Sequence, residues 1–111
     1  MSDAPGFDAD GCGGGEVFAL RVLGQSMAPE FAEGDIVIIE PDGVVRDGSF
    51  VLANPQGEWT LRQLVRLHDG WALRPLNPAF AQQPLPDLSA VRGVVIQKAV
   101  PGRRRLSKRY I

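Results

Sequence analysis

Six side chains could do chemistry, and Ser26 is the one the sequence sets up for it. In Leu23-Gly24-Gln25-Ser26-Met27-Ala28-Pro29-Glu30-Phe31 a hydroxyl follows a strand and sits on a tight turn. Gly24 lets the backbone approach closely, and Pro29 stiffens the chain behind the hydroxyl. Backbone N–H groups at such a turn, from Gln25 to Met27, can face a developing oxyanion. By itself a serine there also reads as a helix N-cap. The other candidates carry less. His68 is the single histidine and stands at a hairpin tip. Lys98 is in phase with Val94 and Ile96 on a late strand, which suits a snorkelling lysine. Lys108 is in a basic tail, Asp35 follows a Gly34 turn that it can hydrogen-bond, and Cys12 is the only cysteine. No cofactor or metal motif is present, and one thiol makes neither an intrachain disulfide nor a thiolate zinc site.

The elements that must position these groups read as β. Of 111 residues, 44% are apolar, enough for one compact domain. Gly 13 and Pro 9 are too many for a helical bundle and suit a turn-rich, all-β domain. Strands are expected at Val17–Leu23, Ile36–Glu40, Ser49–Ala53, Glu58–Leu67, Trp71–Leu76 and Val91–Val100. Ser26–Glu33, with Pro29 inside it, holds at most one short helix. His68-Asp69-Gly70 is a hairpin tip, and 77–90 reads as loop. Trp59, Trp71, Phe31 and Phe50 are expected to pack in the core or an interface. Residues 1–15 read as a Gly-rich leader, 16–101 as the folded domain and 102–111 as a basic tail. The longest aliphatic run, Ile36–Ile39, is far short of the ~18 residues a membrane span needs. Four acids and no Lys or Arg before Arg21 do not suit a secretory signal, so the expected setting is cytoplasmic.

The run GQSMAPEFAEGDIVII resembles the serine segment of the LexA/UmuD-type serine peptidases, a family that includes phage repressors and is related to signal peptidases. The resemblance continues in order through Gly48–Ala53, Trp59–Leu64, Leu73–Phe80 and Val91–Ile96, covering about residues 17–100. It implies a barrel-like β-ribbon fold and a Ser–Lys dyad, one of the alternatives to the Ser-His-Asp triad. In such a dyad a desolvated lysine, its pKa lowered toward ~7–8, takes the serine proton. On this resemblance Ser26 is the nucleophile, and the residue after Thr60-Leu61 is the base.

That residue is Arg62. A guanidinium titrates so far above neutrality that its neutral fraction at pH 7 is ~10⁻⁵ to 10⁻⁷. The handicap is about 7–9 kcal/mol, which removes most of what a dyad supplies. The resemblance with this substitution therefore implies a pseudoenzyme, a binding or dimerisation module in an SOS-response or prophage setting. An active peptidase, cutting itself or another chain, would need a substitute base, with Lys98, His68 and Lys108 the choices.

Four further expectations follow. The family cuts itself at a small-residue–Gly bond. Cys12-Gly13 has that chemistry, but a strand of about seven residues intervenes, so the segment cannot fold back on its own Ser26. The family's repressors carry a helix-turn-helix ahead of this domain, and the fifteen residues before Glu16 do not suit one. The family also pairs through its last strand, so a homodimer through Val91–Val100 is expected, favoured by an exposed edge there. Finally, the tail holds Arg103, Arg104, Arg105, Lys108 and Arg109 without an acid. The rest of the chain has seven basic and thirteen acidic residues, a net −6. Such a tail reads either as a solvated end or as a nucleic-acid contact in which Tyr110 stacks on a base.

Overall fold

Hydrophobic alternation and Gly/Pro punctuation produce eight strands and no α-helix in the computed structural model, which describes residues 16–110. In chain order these are β1 (Phe18–Arg21), β2 (Ile36–Glu40), β3 (Phe50–Ala53), β4 (Thr60–Leu67), β5 (Gly70–Arg74), β6 (Gln83–Leu85), β7 (Val91–Ala99) and β8 (Lys108–Arg109). They form one antiparallel sheet ordered β1-β2-β7-β3-β4-β5-β6, with β8 also paired to β7. The expected all-β class is therefore observed. The short helix allowed for Ser26–Glu33 is instead a series of hydrogen-bonded turns, and the one helical turn described is a 3₁₀ turn at Arg104–Leu106.

Two registers against β7 slip, at Ile38/Ile39 on β2 and Leu52/Ala53 on β3. Such bulges bend a strand and raise its twist. Where the strands cross closely, side chains must vanish. A Cβ on Gly93 of β7 would lie 2.5 Å from Ile39 Cγ2, so only glycine fits. The sheet buries two apolar clusters. One gathers Val22, Met27, Phe31, Val37, Ile39, Leu52 and Val95. The other gathers Val51, Ala53, Leu64, Leu73 and Leu85 under β3–β6.

Two segments expected to be irregular are ordered. Residues 77–90 contain β6, which pairs with β5 from the sheet edge. The basic tail folds back as β8, with Gln97 opposite Arg109 and Lys98 opposite Lys108. Tyr110 then turns inward, its ring 5.4 Å from Phe50 and 5.6 Å from Phe31. Among the described residues the tail's basic side chains stay exposed, as a solvated end implies, but its backbone is ordered, and the half-buried Tyr110 ring packs on Phe31 and Phe50 instead of standing free to stack on a base. Val91–Val100 also differs from its expected role as a free edge. Strand β7 is interior, flanked by β2 on one side and by β3 and β8 on the other.

Glu30 fastens this end. Its carboxylate accepts from Tyr110 Oη at 2.5 Å and from Lys108 Nζ at 3.0 Å. The Tyr110 hydrogen bond is the main cause holding the Glu30 carboxyl below its ordinary value, against some burial and with help from Lys108 and Lys98. A carboxyl depressed in the fold stabilises it fully above the unfolded value of about 4.5, and that contribution fades as pH falls through the folded value. Glu30→Gln should therefore lower Tm at pH 7 and flatten the acid limb of a Tm-against-pH curve. An unchanged slope below pH 5 would contradict this.

Candidate functional site

The turn that carries Ser26 is held from three sides. Gly24 takes φ +82°, a left-handed backbone that L side chains rarely adopt, and turns the chain out of β1. Val22 N–H donates to Asp35 O at 2.8 Å, and Gly34 N–H donates to Val22 O at 2.9 Å, which closes the loop. Buried Asp35 accepts from Ala32 N–H at 2.9 Å, the turn role expected of it. The third support comes from Asn77. Its Nδ2 donates to Gln25 O at 3.0 Å, and its backbone N–H donates to Ser26 O at 3.0 Å. Asn77 has no role that composition or periodicity assigns. The Asn-Pro pair at 77–78 was the signal available, since such a pair marks a turn with a side chain able to bridge.

Arg62 reaches this turn from β4, where it pairs with Val51 of β3. Its Nη1 donates to Ser26 Oγ at 2.8 Å and to Leu61 O at 2.8 Å. Two residues 36 positions apart in the chain are thus in direct contact, and Arg62 is the one side-chain partner of Ser26 Oγ among the described residues. Burial lowers the Arg62 guanidinium from its ordinary value, and Glu58 nearby acts in the opposite direction. No carboxylate lies within 4.0 Å of it among the described residues. A guanidinium in this geometry donates to the hydroxyl oxygen and has no lone pair to receive its proton.

The other basic groups are elsewhere. Lys98 Nζ donates to Glu30 O at 2.6 Å and sits 5.6 Å from the Phe31 ring centroid. Lys108 is tied to Glu30. His68 is exposed at the β4–β5 hairpin tip, as expected. Of the oxyanion candidates, Met27 is buried and Gln25 is exposed. Neither the Ser26 nor the Met27 backbone N–H finds an acceptor among the described residues. Arg103, Arg105, Lys108 and Arg109 are exposed around β8, and the backbone of Arg104 opens the 3₁₀ turn beside them. Cys12-Gly13 lies outside the described residues.

Beside Ser26 and Arg62 runs a groove of about 380 Å³, walled by Leu20, Val22, Leu23, Met27, Trp59 and Leu61. Trp59, expected in the core or an interface, is 42% exposed and forms part of this wall rather than of the core. Phe31 is buried as expected, and Phe50 and Trp71 are half-buried. The arrangement can hold an extended apolar chain against a hydroxyl and a cation. No helix among the described residues is long and apolar enough to cross a membrane.

Comparison with known proteins agrees with this geometry. A family model described as Peptidase S24-like matches residues 7–96. The chain is 36% identical over 89 residues to a LexA repressor of Syntrophotalea carbinolica, covering 76% of this chain and 43% of that protein. It is 39% identical over 75 residues to a LexA repressor of Corynebacterium jeikeium, covering 67% of this chain and 27% of that one. The chain thus spans less than half the length of these curated relatives. With the matched span running from before β1 into β7 and taking in both Ser26 and Arg62, the chain belongs to the Peptidase S24-like family.

Proposed function

We propose that this chain is a catalytically silent member of its family, a cytoplasmic binding and dimerisation module in which Ser26 occupies the nucleophile position and Arg62 that of the lysine base. The supporting observation is the 2.8 Å bond from Arg62 Nη1 to Ser26 Oγ. The group beside the hydroxyl donates a proton where a base must accept one. Lys98, the nearest thing to a substitute, is occupied by the Glu30 carbonyl. The match to proteins named LexA repressor supports a regulatory setting such as the SOS response or prophage control. A second copy would meet the face around β8, where Leu106 is exposed, because both edges of β7 are already paired.

The purified chain, incubated for days at pH 7 to 10, should keep its intact mass, and Ser26→Ala should behave identically. It should also elute at twice its monomer mass in light-scattering chromatography. Self-cleavage or peptide cleavage abolished by Ser26→Ala would overturn the silent reading, and a monomer at micromolar concentration would overturn the dimer.

A further inference from the structure

Arg62 keeps much of its hydrogen-bonding capacity unused. A guanidinium has five N–H donors in a planar fork, and Nη1 spends its two on Ser26 Oγ and Leu61 O. The Nε and Nη2 edge, the pair of donors that matches a carboxylate bidentately, has no acceptor among the described residues. Ser26 Oγ accepts from Arg62, so its own proton is left to donate outward. The Ser26 and Met27 backbone N–H groups also have no acceptor among the described residues. Arg62, Ser26 and Met27 all line one groove whose remaining walls are mainly apolar. Among the described residues this half-buried cation has no carboxylate within 4.0 Å, Glu58 acting on it from farther off, and with unused donors around it the site is complementary to an anion. The apolar walls exclude a small hydrated ion as the best fit, and the groove volume lies in the range of about 300–1,000 Å³ typical of specific ligand sites.

Resting on the proposed silence of the site, we propose that the groove is a receptor for the C-terminal carboxylate of an extended peptide with apolar final residues. The carboxylate meets the free edge of Arg62 and the Ser26 hydroxyl, and the last side chains lie against Leu20, Leu23 and Leu61. No bond is made or broken. The arginine that cannot serve as a base makes the cleft selective for a chain end over a chain interior, because an internal amide offers no negative charge.

The test uses the full chain and N-terminally fluorescein-labelled hexapeptides of alanine and leucine ending in alanine, valine or leucine, each as free acid and as C-terminal amide. Anisotropy titration at pH 7 should show at least one free acid binding about tenfold or more tightly than its amide. Arg62→Met should erase that ratio. Leu23→Asp changes a residue that is 77% exposed and should weaken the acid without unfolding the protein, which keeps the test decisive if Arg62→Met does not fold. Acid and amide binding within twofold across the panel, or no binding at millimolar peptide, overturns the proposal. Mass spectrometry of the probe after titration separates the two readings. A cut probe sinks the silent-site reading, whereas an intact probe with equal acid and amide binding sinks the receptor alone.

Discussion

Arg62→Lys should convert the silent groove into a slow peptidase, with cleavage of the chain or of added apolar peptides rising at least ~10³-fold over wild type. An unperturbed lysine is neutral at pH 7 in a fraction ~10⁻³ to 10⁻⁴, against ~10⁻⁵ to 10⁻⁷ for arginine. Burial in the apolar groove lowers the lysine pKa and widens that gap. The Lys ammonium ends one bond short of the position of Arg62 Nη1, which is now 2.8 Å from Ser26 Oγ, so a small shift restores contact. The rate should rise about tenfold per pH unit below the lysine pKa and level off above it, because only the deprotonated amine is a base. Adding Ser26→Ala should abolish the gain. A folded Arg62→Lys variant that stays inert from pH 7 to 10 would mean that the groove has lost more than its base.

The second large effect is on stability. Phe31→Ala should cost about 3–5 kcal/mol, the range for emptying a large aromatic site in a core. Phe31 is fully buried, with Phe50 edge-on at 5.0 Å and Tyr110 at 5.6 Å. Its backbone N–H also donates to Met27 O at 2.9 Å, which ties the core to the turn carrying Ser26. For a domain with about 5–15 kcal/mol of total stability, Tm should fall by roughly 15–25 °C. Phe80→Ala, at a residue 43% exposed, should stay within about 0.5 kcal/mol. Equal shifts for the two variants in thermal unfolding would contradict this account of the core.

Much of the framework was legible because its signals are local. Strand β2 coincides with its expected bounds, since a β-branched run between Gly34-Asp35 and Pro41-Asp42-Gly43 has no other reading. The β4–β5 hairpin turns where Asp69-Gly70 said it would. Strand β6 escaped notice because Pro84 interrupts its pattern. A proline is tolerated only on an edge, and edge position is a property of the whole sheet. Strand β8 escaped because five basic residues in the tail mask an anchor. Tyr110 buries against Phe31 and Phe50 only once β7 is there to receive the strand.

By itself, then, the sequence determined the residue types and their order: a serine on a glycine-led turn, and an arginine in a strand 36 residues later. The chemistry that an always-charged guanidinium forbids follows from its covalent structure and needs no coordinates. Only the tertiary structure decided that these two side chains touch, that Lys98 is spent on Glu30, and that β7 lies inside the sheet with no edge to offer. Contacts between distant strands depend on register and sheet order, which no local pattern encodes. One register step on β4 would have turned Arg62 to the opposite face.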